Sequence, residues 1–169
     1  MIPFLKRKIP AETVGRSLLY IADWKHPPTA ERIKASLGMI GDEEIDRVKY
    51  QTEIIFLTAF TIDYVVTMTL GEGPTTQAIL RAYYDAFEER GKENLLWADI
   101  FRVLKSRSIE YSMAVRNPHP EYGVPYAVGR AFSEICGAPL SARVMLAGSA
   151  HFASTFRMVS KVLNSYKVV

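Results

Sequence analysis

Apolar residues recur along this chain mostly at helical spacing, and they are densest from Ile54 to Leu70, Ile-Ile-Phe-Leu-Thr-Ala-Phe-Thr-Ile-Asp-Tyr-Val-Val-Thr-Met-Thr-Leu. The acidic opening Asp42-Glu43-Glu44 and the break Gly71-Glu72-Gly73-Pro74 frame this run as the end of one long helix over about residues 42–70. Carboxylates favour a helix N-terminus, whereas Gly and Pro belong at and beyond its C-terminus. The helical period puts Ile45, Val48, Thr52, Ile55, Phe56, Ala59, Ile62, Val66 and Leu70 on one side, and Ile54, Leu57, Val65 and Met68 on the other. The first turns keep a wet face and the last turns keep none. Such a helix is either the centre of a globular domain or a membrane span. The uninterrupted apolar part is shorter than the roughly 20 residues a bilayer requires. Asp63 near its middle and four diluting threonines also favour the core. Ile62, Tyr64, Val66, Met68 and Leu70 alternate as a strand would, but continuity with the upstream pattern selects a helix.

Shorter amphipathic patterns surround this helix. Val14, Leu18, Ile21 and Ala22 give a first helix from Ala11 to Trp24, which Lys25-His26-Pro27-Pro28 ends. Thr29 caps a short one ending at Gly38. Gln77 to Arg90 carries Ile79, Leu80, Tyr83 and Phe87 on one side. The next, from Asn94 to Val115, carries Trp97, Phe101, Leu104, Tyr111 and Val115, with Arg102, Lys105 and Arg107 elsewhere. Val124 to Ile135 turns Val128, Ala131, Phe132 and Ile135 inward before Gly137 and Pro139. The last helix, from Ser141 to Tyr166, has Met145, Ser149, Phe152, Phe156, Val159, Leu163 and Tyr166 along one seam. Its small residues Gly148, Ser149, Ala150, Ala153 and Ser154 suit a close neighbour, and the central helix is the expected one. These elements predict an all-α fold: one domain over residues 11–169, a bundle of about seven helices around the central apolar helix, preceded by an extended basic arm over 1–10.

A length of 169 residues suffices for a single sizeable core. The net charge of +3 gives little reason to expect nucleic acid. The basic arm Lys6-Arg7-Lys8, flanked by Ile2, Phe4 and Leu5, supplies at most weak peripheral membrane contact. A lone cysteine, Cys136, excludes an intrachain disulfide and fits a reducing compartment, and no apolar run of signal-peptide length follows the arm. The expected location is cytoplasmic.

Candidate chemistry is sparse. Three histidines are too far apart in sequence to suggest a metal site, no motif implies a cofactor, and Cys136 reads as a structural thiol. Gly71-Glu72-Gly73-Pro74-Thr75-Thr76 lacks the lysine of a phosphate-binding loop and reads as a helix stop followed by a start. Asp63 lies on an apolar helix and needs a donor from another helix, with His151 and Arg157 as first candidates for a buried polar group. The connection Asn117-Pro118-His119-Pro120-Glu121-Tyr122-Gly123 is stiffened by two prolines. Loops on rigid scaffolds carry function more often than core faces do, so His119, Glu121, Tyr122 and Tyr126 are the candidate ligand or partner surface. Two functional classes follow. The first is a non-catalytic helical module that binds another protein or itself. The alternative is a small-molecule-binding protein or enzyme with an interhelical pocket near Asp63 or the 117–123 loop.

Overall fold

The computed structural model describes residues 7–22, 31, 34–35, 38, 40, 45–93 and 95–169, with the side chains of 91, 93 and 95–101 outside that description. Among the described residues there are six helices and two short strands. They are β1 (Arg7–Ile9), α1 (Ala11–Ala22), α2 (Arg47–Leu70), α3 (Pro74–Glu93), α4 (Leu95–Arg116), α5 (Gly123–Ile135), α6 (Ala142–Ser165) and β2 (Tyr166–Val168). The chain is an all-α bundle. The seventh helix expected between Thr29 and Gly38, the acidic opening at 42–44 and Lys6 lie outside the described residues or mostly so.

Helix α2 begins later than the carboxylates at 42–44 would place it. Asp46 is its N-cap, accepting from Val48 N at 2.8 Å and Lys49 N at 3.1 Å, which satisfies two amides that have no partner inside the helix. It ends at Gly71, whose φ of 73° suits a residue without Cβ. Pro74 then opens α3, where its missing N–H costs nothing.

The apolar surround of α2 has a specific cause: the helix separates two cores. Ile55, Phe56, Ala59, Ile62, Val65 and Val66 pack with Val14 and Leu18 of α1, Ile79, Tyr83 and Phe87 of α3, and Val159 and Leu163 of α6. Tyr50, Ile54, Leu57 and Phe60 pack instead with Tyr111 of α4, Val128 and Phe132 of α5, and Val144 and Phe152 of α6. Ile55, Ala59, Ile62 and Val66 are buried as the sequence predicts. By length and composition α2 could cross a bilayer, but most of that window is buried against the other helices, as in the core of a globular domain.

Both ends of α2 differ from the sequence expectation. In the first turns the inward line runs through Tyr50, Glu53, Ile54 and Leu57, and Val48 is 68% exposed. The covering elements there are α4 and α5, which lie on the side opposite Val48. In the last turn Met68 is 64% exposed, so a wet face exists where the sequence predicts none.

Small residues set the closest approaches. A Cβ on Gly129 of α5 would collide with Ser149 Oγ and the Met145 carbonyl of α6, and one on Gly148 would lie 2.8 Å from Phe132 Cβ. The small stripe on the last helix therefore admits α5, and the expectation that Gly148 and Ser149 face the central helix is corrected. Gly15 admits α3 in the same way, next to the Ile79 carbonyl and Ala82. The two strands, absent from the sequence reading, pair in parallel with Arg7 opposite Tyr166 and Ile9 opposite Val168.

Candidate functional site

The connection between α4 and α5 is held by its own histidine. His119 Nδ1 accepts from the backbone amides of Glu121 and Tyr122, each at 3.2 Å, and the His119 carbonyl accepts from Gly123 N at 2.8 Å. Pro118 and Pro120 restrict the intervening backbone, and Gly123, with φ of 68°, turns the chain into α5. This places Tyr122 and Tyr126 against the imidazole. Tyr122 stacks on it with centroids 4.8 Å apart, Tyr126 meets it edge-on at 4.8 Å, and the two phenol rings are 5.2 Å apart. Three of the four residues singled out in this loop thus form one aromatic cluster. Glu121 is not part of it; only its amide takes part in the turn, and the residue is exposed.

His119 and Tyr126 line one end of a groove of about 590 Å³ between α4 and α5. Ala114, Ala127 and Ala131 are among the small residues lining it, with Met113 and Ile135 beside them. Its charged residues are paired within each wall. Arg107 Nη1 lies 2.9 Å from Glu110 Oε1 on α4, and Arg130 Nε lies 3.0 Å from Glu134 Oε1 on α5. None of these four charged residues stands out in sequence, because each reads as the wet side of an amphipathic helix. The spacing of Ala127, Ala131 and Ile135, four residues apart, is the one signal that could have marked a groove wall.

Behind Arg107 lies a buried carboxylate that sequence reading misses. Glu53 of α2 is 2% exposed; it accepts from Tyr111 Oη at 2.7 Å and lies 3.1 Å from Arg107 Nε without hydrogen-bond alignment. Burial pushes the Glu53 carboxyl up from its ordinary value, against the opposing pull of the Tyr111 hydrogen bond and the Arg107 charge. Arg107 thus turns its Nε inward to Glu53 while its Nη1 keeps the Glu110 pair on the groove wall. Cys136, in the same core, is buried, and burial pushes its thiol up to about 12. A thiol so protonated is a poor nucleophile.

Asp63 finds its partner on a helix the sequence did not suggest. Tyr84 Oη of α3 donates to Asp63 Oδ2 at 2.7 Å. His151 is buried, but its Nε2 lies 2.7 Å from Thr58 Oγ1 one turn earlier on α2, and Arg157 is exposed. Asp63 and Thr58 project from different faces of α2, and α6 covers only one of them, which is why the last helix cannot serve both. Asp63 lines neither the α4–α5 groove nor the one around Glu12, Gln77 and Arg81. Among the described residues no group of His, Cys, Asp and Glu side chains is arranged to hold a metal ion. No protein family, curated protein or solved structure matches this chain.

Proposed function

We propose that this protein is a non-catalytic helical module that docks a segment of a partner protein in the α4–α5 groove. The observation that carries the reading is the make-up of that groove: small and apolar residues between walls that carry matched ion pairs, with an aromatic cluster at one end. Protein-binding surfaces are enriched in Tyr, Met and Arg around an apolar centre with a polar rim, and Tyr126, Met113, Arg107 and Arg130 supply those types here. An open trough between two helices suits an amphipathic helix or extended segment of another chain. The loop is held before any partner arrives, which lowers the ordering cost of binding. Self-association through the same groove is the homo-oligomeric form of this reading. The single buried cysteine supports a cytoplasmic setting.

The small-molecule alternative has one observation in its favour, a groove volume within the range of roughly 300–1,000 Å³ typical of ligand sites. A photo-crosslinking residue at Met113, which is exposed and lines the groove, separates the readings, with Leu146 on α6 as the control position. Adducts with another protein at Met113 and not at Leu146 are expected. They should be lost in the double variant His119→Ala/Tyr122→Ala, with the melting temperature nearly unchanged. Equal adducts at both positions, or none, would overturn the proposal. A small molecule retained in a native mass spectrum would favour the alternative.

A further inference from the structure

We infer that His119 is a pH-sensitive latch on this groove: as the neutral ring it holds the 117–123 loop closed, and protonation of Nδ1 releases it. The inference concerns regulation of the groove and, for its functional meaning, rests on the docking reading.

An imidazole nitrogen accepts hydrogen bonds only when it carries no proton. His119 Nδ1 accepts two, from the amides of Glu121 and Tyr122, so in this conformation the ring is neutral with its proton on Nε2. Adding a proton at Nδ1 turns the acceptor into a donor aimed at two other donors. Both bonds are lost and the three N–H groups repel one another. The ring cannot turn away without leaving its contacts, because Tyr122 stacks on it and Tyr126 meets it edge-on. Relief therefore requires the loop or the cluster to move. Because His119 and Tyr126 line the groove, that movement alters this end of it.

Other groups around the ring act on its charge without restoring either bond. The rings against it are the phenols of Tyr122 and Tyr126, which bring no acceptor to replace the lost bonds. On the loop itself Glu121 is exposed. The charges sharing the groove are Arg107 and Glu110 from α4 and Arg130 and Glu134 from α5, each already paired. The sign follows from the geometry: the closed loop belongs to the neutral ring and is lost when Nδ1 gains a proton.

Asparagine provides the control. Its Oδ1 hangs from Cγ as Nδ1 does, accepts the same two amides in a common turn geometry, and cannot be protonated. The experiment follows the backbone amides of the full chain by NMR from about pH 8 to about pH 5, the window in which histidine changes charge. The Glu121 and Tyr122 amide resonances should shift together with the His119 ring signals. The ring should show the Nε2–H tautomer at the upper end. In His119→Asn the two amides should stay in place. Amides that ignore the ring titration, an Nδ1–H tautomer, or an unchanged drift in His119→Asn would each overturn the latch. This readout needs no partner. If the latch titrates as described and no groove adducts form at any pH, the docking reading fails alone; if wild type and His119→Asn lose adducts equally on acidification, the latch does not control the groove.

Discussion

Tyr84 Oη and Asp63 Oδ2, 2.7 Å apart, join α3 to α2 through one charge-assisted hydrogen bond at a half-buried point between the helices. Burial, together with the Asp63 charge and hydrogen bond, pushes the phenol well above its ordinary range, so it remains the donor throughout the accessible pH range. Tyr84→Phe should cost about 1.5–3 kcal/mol, the range for bonds to charged groups. A double-mutant cycle with Asp63→Ala, which removes the acceptor, read by urea denaturation, should show the two sites coupled. Strict additivity would mean that the contact contributes nothing.

Ile62 is fully buried against α1 and α3 residues in the first of the two cores. Truncation to Ala should cost about 2–5 kcal/mol, the range for lost burial plus a residual cavity. The equivalent change at exposed Val48 should leave the denaturation midpoint nearly unmoved. A comparable loss at Val48 would contradict the orientation of the first turns.

At the α5–α6 crossing the constraint is the reverse of a cavity. Gly129→Ala should destabilise by about 1–3 kcal/mol or more, because its methyl meets a backbone carbonyl that cannot turn aside. Gly38→Ala, where a Cβ meets nothing within 4 Å, is the control. Thermal denaturation that ranks the two variants equally would refute the close approach.

Glu53 sets a pH dependence of definite sign. Its folded-state carboxyl is raised, so the folded protein holds that proton more tightly than the unfolded chain does. The contribution to stability therefore falls as pH rises from the ordinary carboxylate value through the folded value, then stays constant. The readout is a difference between proteins, so that every other titrating group cancels. Glu53→Gln keeps an acceptor for Tyr111 and removes the titration. Urea midpoints from about pH 4 to about pH 7 should show wild type losing stability relative to the variant across that interval. Parallel curves would exclude the effect.

Much of the bundle is legible in sequence because helix periodicity reports burial directly. Ile55, Ala59, Ile62 and Val66 are buried where the period places them. What periodicity cannot report is which neighbour covers which face. That is why Val48 reads as inward, why Glu53 passes unnoticed on a supposed wet face, and why Gly148 pairs with Phe132 instead of a residue of α2. The aromatic cluster at His119, Tyr122 and Tyr126 was accessible because two prolines fix its backbone locally. The groove beside it was not, since Arg107, Glu110, Arg130 and Glu134 come together only when two helices pack.

The pairing of β1 with β2 also has a kinetic side. Joining Arg7 to Tyr166 closes a ring of nearly the whole polypeptide. Closure entropy grows only as about (3/2)RT ln n, but it must be met before three short rungs can offset it. Helix docking does most of that work by bringing the ends together, so this ribbon should zip last and fray first. Hydrogen exchange at Val169 N, bonded to the Ile9 carbonyl, and at Ala11 N, bonded to the Val169 carbonyl, should then report sub-global opening of the bundle ahead of the amides inside α2.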